Sequence, residues 1–331
     1  MLSIVVPVLN EAESLPTLYT ELCEVAVAQG YKLDVIFVDD GSTDGSWEVI
    51  RNLAAADPRI RGVRFRRNFG KASALCAGFA HARGELVMTL DADLQDNPQE
   101  IPRFLAEMGR NLDVVSGWKR VRHDPWHKVI PSRVFNRLVS SLTGVMLHDH
   151  NCGMKCYRRE IFDEVRLYGE LHRFVPVLAA ARGFRVGEIE IQHRPRRHGS
   201  SKYGVSRILK GALDLLTVKF LTGFGQRPQH LLGAVGLASF VLGALGMVYL
   251  ALYWVAGQWH PELGLLPLHV RPAMYYSVGL LILGGQLVSV GMLAELLVAY
   301  HNPDQTAYSI AERTPAAESP LPSNPPQKIL P

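Results

Sequence analysis

Cysteine is scarce in this sequence: four residues in 331, Cys23, Cys76, Cys152 and Cys156, with no disulfide-framework spacing. That excludes a small disulfide-stapled secreted scaffold and favours reduced thiols on the cytosolic side. Net charge is nearly as scarce, a formal +4, too little by itself to argue for nucleic acid as a partner. No charged n-region or cleavage site precedes the first apolar segment, so no secretory signal peptide is expected. In the last third, charge itself is what is missing. Leu231 to Ala256 holds no charged side chain, and the only one in Ala273 to Tyr300 is Glu295. Each run exceeds the roughly 20 residues that cross a bilayer, and neither keeps the polar face that a surface helix of a soluble domain shows.

Charge reappears just before these runs. Gln192 to Lys202 is strongly basic and is followed by Arg207, Lys210 and Lys219. Beside a membrane span, such a stretch reads as contacting anionic lipid head groups. The loop between the runs, 257–272, carries one Arg and one Glu. The positive-inside rule then places the chain before Leu231 in the cytoplasm and makes spans 231–256 and 273–300 a helical hairpin with a short outer loop. Tyr249, Tyr253, Trp254, Trp259, Tyr275 and Tyr276 form its expected interfacial belt. Gly233, Gly236, Gly243, Gly246, Gly284 and Gly285 would permit close helix packing, which leaves a homo-oligomer possible. An apolar segment at about 204–222 with spaced basic residues reads equally as an interfacial helix or a core helix. Residues 301–331, rich in Pro, Ser, Ala and Glu, are expected to be a disordered cytoplasmic tail.

The first 120 or so residues alternate between two periods. Ser3–Val8, Leu33–Val38, Ile60–Phe65, Glu85–Leu90 and Leu112–Ser116 predict buried strands. Glu11–Gln29, Ser46–Ala56, Lys71–Ala82 and Pro98–Met108 predict helices. A further helix is expected at Ser132–Thr143 and a strand at Arg185–Gln192. Alternation of this kind implies an α/β fold whose mostly parallel sheet binds ligands outside the carboxyl ends of its strands.

One such end reads Leu90-Asp91-Ala-Asp93-Leu-Gln95-Asp96. In an extended segment, residues i and i+2 share a side, so Asp91 and Asp93 would converge on one point. Two hard oxygen ligands there suit Mg2+ or Mn2+ shared with a substrate's phosphates, although a DxD alone is more often a solvated turn. Two other strand ends are polar as well: Val5-Val-Pro7-Val-Leu-Asn10-Glu11 and Val38-Asp39-Asp40-Gly41-Ser-Thr-Asp44. Gly41 permits a tight turn, and Asp40 could accept hydrogen bonds from a nucleobase N–H.

Together, in this order, these motifs resemble the nucleotide-sugar half of a family 2 glycosyltransferase with a GT-A (Rossmann-like) fold, over residues 1–225. Within it the chain is similar to the polyprenyl-phosphate branch that includes dolichyl-phosphate mannose synthases, on Asp91-Ala-Asp93-Leu-Gln95-Asp96, Ser132-Arg133 with Asn136, Asn151-Cys152-Gly153-Met-Lys155, and the hairpin. The resemblance implies that Pro7, Asn10, Glu11, Asp40 and Asp91 line the nucleotide pocket. It also implies that Asp91, Asp93 and Gln95 hold the cation against the donor diphosphate, Asp93 and Arg133 serving catalysis. Lys119, Arg120, Arg122, Ser132 and Arg133 fall where that branch places groups for donor and acceptor phosphates. This chain reads Gly117-Trp118-Lys119-Arg120 where mannose synthases more often show Gly-Ser-Arg, which leaves the donor sugar open. Asp149 is either an active-site carboxylate or a turn Asp holding its loop.

An acceptor phosphate is already ionised near neutral pH and needs no strong general base, only cations to bring two anions together. Arg133, Arg194, Arg196, Arg197 and Lys202 are candidates for gripping it, against the reading of a solvated or head-group-binding loop. His148, His150, Cys152 and Cys156 match no common structural zinc spacing. His172 and Arg173 read either as an acceptor-side motif or as a polar helix turn. The function expected is inverting, metal-dependent transfer of a sugar from a GDP- or UDP-sugar to undecaprenyl or dolichyl phosphate at the cytoplasmic membrane face. Two alternatives stand beside it. A glycosyltransferase acting on a sugar hydroxyl lacks support from a Gln-x-x-Arg-Trp signature or further spans, and a catalytically silent membrane scaffold is disfavoured by the intact acidic motif.

Overall fold

Strand β1 (Leu2–Val8) is buried along nearly its whole length, with Ile4, Val6 and Val8 on one face and Val5 on the other. A strand apolar on both sides belongs in the middle of a sheet covered by helices. In a computed structural model that describes residues 1–120, 126–165, 171–192, 194, 215, 217–218, 228–260, 262 and 266–301, it lies there. The sheet has seven strands in the order β3-β2-β1-β4-β6-β5-β7. The others are β2 (Leu33–Asp39), β3 (Ile60–Arg64), β4 (Leu86–Thr89), β5 (Val114–Trp118), β6 (Lys155–Arg158) and β7 (Val186–Glu190). All neighbours pair in parallel except β6, which runs antiparallel to both β4 and β5.

Helices α1 (Leu15–Gln29), α2 (Ser46–Ala56) and α4 (Ile101–Met108) cover one face, over Ile4, Phe37 and Met88. Helices α3 (Lys71–His81), α6 (Ile161–Glu164) and α7 (Val175–Ala181) cover the other, over Val5, Ile36, Val87 and Tyr157. Helix α5 (Trp126–Thr143) packs Val139 against Phe174 of the 3-10 turn Leu171–Phe174.

The expected strands and helices are present with shifted ends, and two differences bear on function. The first helix begins at Leu15 rather than Glu11. Residues 10–12 spend their backbone N–H groups across the chain instead, Asn10 on Ser42 Oγ (2.9 Å), Glu11 on Ser46 Oγ (2.9 Å) and Ala12 on Asp44 (3.0 Å). The second is β6, which the sequence reading does not contain. Its four residues, Lys-Cys-Tyr-Arg, carry too little alternation to read as a strand.

The two apolar runs form α8 (Pro228–Trp259) and α9 (Pro272–His301), packed against each other as an antiparallel pair. Only 11% of each apolar window is buried, so these are not core helices of a soluble domain. Gly236, Gly243, Gly246 and Gly284 are used inside the pair: a Cβ at Gly243 would stand 2.7 Å from Ser277 O and one at Gly284 2.5 Å from Phe240 N. A Cβ at Gly285 would meet nothing within 4 Å, and one at Gly233 only Gln229 of its own helix. Glu295, the one charge in the runs, accepts the N–H of Gln229 at the start of α8 (3.2 Å). At the other end Arg271 lies over the Tyr253 ring, 3.5 Å from its centroid, and Tyr275 Oη donates to His269 O (2.9 Å). Arg122, Arg196, Arg197, Lys202, nearly all of the segment at about 204–222 and the tail from 302 lie outside the described residues.

Candidate active site

The topology gathers the site at one sheet edge. Strands β2, β1 and β4 are parallel neighbours, so Asp40, Asn10 and Asp91 leave their carboxyl ends side by side. Because β6 is antiparallel, its amino end comes to the same edge, with Lys155 opposite both Thr89 and Ser116. The Asn151–Lys155 segment therefore meets the acidic motif, and Thr89 Oγ1 donates to Gly153 O (2.7 Å).

Strand β4 stops at Thr89, and residues 91–95 form a turn with Leu94 at φ 61°. The expected extended segment is absent, so alternation does not explain how Asp91 and Asp93 share this corner. Leu94 is buried, and core packing holds it in a left-handed conformation that branched side chains rarely adopt. Within the turn, Asp93 Oδ1 accepts the N–H of Gln95 (3.2 Å). The Asp91 carboxylate contacts the ammonium of Lys71, the first residue of α3. Burial alone would raise the pKa of Asp91, but Lys71, with help from Lys119, holds it down to about 2. Lys71 is raised in turn, Asp91 outweighing the effect of burial.

The upstream groups form a connected shelf. Asn10 sits at φ 58° and its Oδ1 accepts the N–H of Thr43 (2.9 Å). Glu11 Oε2 accepts from Ser14 Oγ (3.1 Å). Pro7 is half-buried in β1 opposite Val38. Asp40, buried, accepts the N–H groups of Phe69 (2.6 Å) and Gly70 (2.9 Å). A base approaching it meets a carboxylate already bracing the loop before Lys71. Gly41, at φ 74°, leaves no room for a side chain, since a Cβ would stand 2.6 Å from the Arg67 carbonyl carbon.

Several expected phosphate ligands are engaged elsewhere. Lys119 turns inward to buried Asp96 (2.7 Å). Arg120 pairs with Glu190 at the surface (3.2 Å). Arg194 has partners within the domain: its guanidinium donates to Glu21 (2.8 Å) and Asn97 (2.6 Å), tying the chain after β7 to α1. Nη1 reaches both Glu21 oxygens while Nη2 is taken by Asn97, and charge-assisted bonds of this kind hold an arginine in place. Arg133 is exposed on α5, next to Ser132 and about one turn before Asn136, and Asn136 Nδ2 donates to His148 O (2.9 Å).

Asp149 is buried, with Oδ1 accepting the N–H of Asn151 (3.1 Å), as a turn-holding Asp does. Its own N–H goes to Glu188 (3.0 Å), which also takes the N–H and the ring of His148 (3.0 and 2.8 Å). The His148 ring stacks on Trp118, centroids 4.2 Å apart. Lys155, buried, donates to the carbonyls of His150 (3.1 Å) and Cys152 (2.5 Å), and burial lowers its pKa. His172 is held neutral, first by burial and then by Lys71, at a pKa of about 2. Its electrostatic coupling to Asp91 and Lys71 places it at the same corner.

Lys71, Glu188 and Lys155 carry no role in the sequence reading. Lys71 had a legible signal, a lone cation just after a glycine at a helix start, and Lys155 stood in the Asn151–Lys155 motif without a role. All four cysteines are free thiols. Among the described residues, no three His, Cys, Asp or Glu side chains converge as metal ligands, which disposes of His148, His150, Cys152 and Cys156 as a cluster. The same fact bears on Asp91, Asp93 and Gln95. These oxygens suit a hard divalent cation, and the Asp91 carboxylate already attracts one positive charge, but the protein supplies only part of a shell. A diphosphate and water would complete it, so the residues fit a cation that arrives with its substrate.

Residues 3–166 match the model of the glycosyl transferase family 2. The dodecaprenyl-phosphate galacturonate synthase of Rhizobium johnstonii is 37% identical over 310 residues, 92% of this chain and 89% of that protein. The undecaprenyl-phosphate 4-deoxy-4-formamido-L-arabinose transferase of Aeromonas hydrophila is 35% identical, covering 90% of this chain and 88% of that one. Among solved structures, glucosyl-3-phosphoglycerate synthase from Mycobacterium tuberculosis, crystallised with Mn2+, UDP-glucose and phosphoglyceric acid, superposes with a TM-score of 0.52 at 18% identity. It covers 67% of this chain and 79% of its own, a likeness of fold.

Proposed function

The chain belongs to glycosyl transferase family 2, and we propose that it moves a sugar from a nucleotide-sugar, GDP- or UDP-linked, onto a polyprenyl phosphate with inversion at the anomeric carbon. One observation carries this reading: the acidic turn of Asp91 and Asp93 lies at the sheet edge beside Lys71, in a chain that also bears two helices long and apolar enough to cross a membrane. The names of the relatives from Rhizobium johnstonii and Aeromonas hydrophila support the acceptor class.

The chemistry follows from charge. An oxygen of the acceptor phosphate attacks the anomeric carbon, and the bond from that carbon to the diphosphate oxygen breaks. The incoming phosphate is already ionised, so no side chain has to remove a proton. Negative charge grows on the leaving diphosphate, where Asp91, Asp93 and Gln95 would hold Mg2+ or Mn2+, which neutralises that charge when bound. Asn10, Glu11 and the Asp40-braced loop form the shelf proposed for the nucleoside. We place the catalytic residues 1–225 and the tail on the cytoplasmic side, because the basic segment 192–219 precedes the first span.

Membranes containing the protein, incubated with radiolabelled nucleotide-sugars and undecaprenyl or dolichyl phosphate, test the proposal. Mild-acid-labile sugar on the lipid is the expected product, lost in Asp93→Ala with membrane insertion intact. Acid-stable label on a glycan would favour transfer to a hydroxyl, and no transfer to any lipid phosphate would sink the reading.

A further inference from the structure

We propose that Lys71 is an internal counterion of the donor site, holding Asp91 while the site is empty and moving onto the donor diphosphate when nucleotide and divalent cation arrive together. The inference rests on the reading that Asp91 and Asp93 hold a diphosphate-bound cation, and it assigns a role to a residue outside that motif.

Three observations carry it. The ammonium of Lys71 lies against Asp91 Oδ1, on the carboxylate proposed as a metal ligand, with the two side chains 35% and 30% exposed. A divalent cation on that oxygen would meet a like charge in a partly dry site, and like charges there repel far more strongly than in water. The main chain before Lys71 is anchored, because the N–H groups of Phe69 and Gly70 are both held by Asp40. Motion is therefore left to the four-carbon stem, and a lysine on such a stem is a mobile point charge. The neighbouring lysines are tied to other groups, Lys119 to buried Asp96 at 2.7 Å and Lys155 to two backbone carbonyls.

A consequence is that the free cation binds poorly and the cation–nucleotide complex binds well. The diphosphate supplies the negative charge that draws Lys71 off Asp91. Loading would then be ordered by charge, with no bare metal occupying the site.

Mn2+ binding to the full chain in detergent, followed through the electron paramagnetic resonance signal of free Mn2+, tests this in the absence of turnover. The wild type is expected to bind Mn2+ weakly alone and about tenfold more tightly with UDP or GDP, a common size for coupled ligands. Lys71→Met should bind Mn2+ alone about tenfold more tightly than the wild type and lose most of the gain from nucleotide. Lys71→Arg, which keeps the charge, should behave as the wild type. Lys71→Gln repeats the measurement if the Met variant melts below the working temperature. Any result in which removing the charge fails to tighten Mn2+ alone overturns the counterion role. A folded wild type that binds no Mn2+ with either nucleotide overturns the metal-dependent reading, and this inference with it.

Discussion

Gly153 and Asp91 share one space: a Cβ at position 153 would stand 2.5 Å from Asp91 Oδ2 and 2.7 Å from its carboxyl carbon. The absence of a side chain in the segment that leads into the antiparallel strand β6 therefore sets where the carboxylate sits. Gly153→Ala must push Asp91 away, since Thr89 Oγ1 holds the Gly153 carbonyl in place. Turnover should drop by about 100-fold, with a stability loss of only about 1–3 kcal/mol. Steady-state kinetics and a melting curve on the same preparation separate the two, and unchanged turnover would remove Gly153 from the site.

Glu188 is 11% exposed and receives three donors from His148 and Asp149. Glu188→Ala leaves the Asp149 N–H without its acceptor, at a cost of about 1–3 kcal/mol. The loop carrying Asp149, Asn151 and Gly153 should loosen. Faster amide exchange over residues 147–153 is the expected readout, and protection equal to the wild type would show that Glu188 does not brace the loop.

His150 is fully buried, with Nε2 3.0 Å from Ser140 Oγ, whose hydroxyl donates to Leu147 O (3.0 Å). Burial, then Lys155, lowers its pKa from 6.5 to about 4. Between those values the unfolded chain binds a proton that the folded chain refuses, so stability falls as pH falls through this window and is whole above it. The difference is on the order of 3 kcal/mol. Melting temperatures of wild type and His150→Gln between pH 7 and pH 4 should converge with falling pH. Parallel curves would contradict a neutral buried His150.

In the hairpin, a Cβ at Gly243 would stand 2.7 Å from Leu281 N and Ser277 O, whereas one at Gly279 would meet nothing within 4 Å. Gly243→Val should split the helices and destabilise the pair by about 1–3 kcal/mol, and Gly279→Val should not. Melting in detergent distinguishes them, and equal effects would mean that the helices do not pack through Gly243.

Much of this was legible in one dimension. Apolar period marks β1 to β5 and β7, because a buried strand needs side chains on both faces and a covering helix needs only a stripe. Uncharged length marks α8 and α9. The polar ends of β1, β2 and β4 could be read because parallel neighbours must deliver their carboxyl ends to one edge.

The pairings across that edge were not legible. Lys71 and Asp91 are separated by 20 residues, His148 and Glu188 by 40, and Glu21 and Arg194 by 173. No local period records such partners. Arg194 looked from sequence like one more base in a basic run, yet it is consumed by Glu21 and Asn97. Composition and order along the chain were enough to determine an α/β sheet with an acidic edge and an apolar hairpin behind it. Only the tertiary structure decided which charges are spent on partners elsewhere and which stand at the acidic edge, because β6 runs backwards, and a strand's direction depends on the partners it meets.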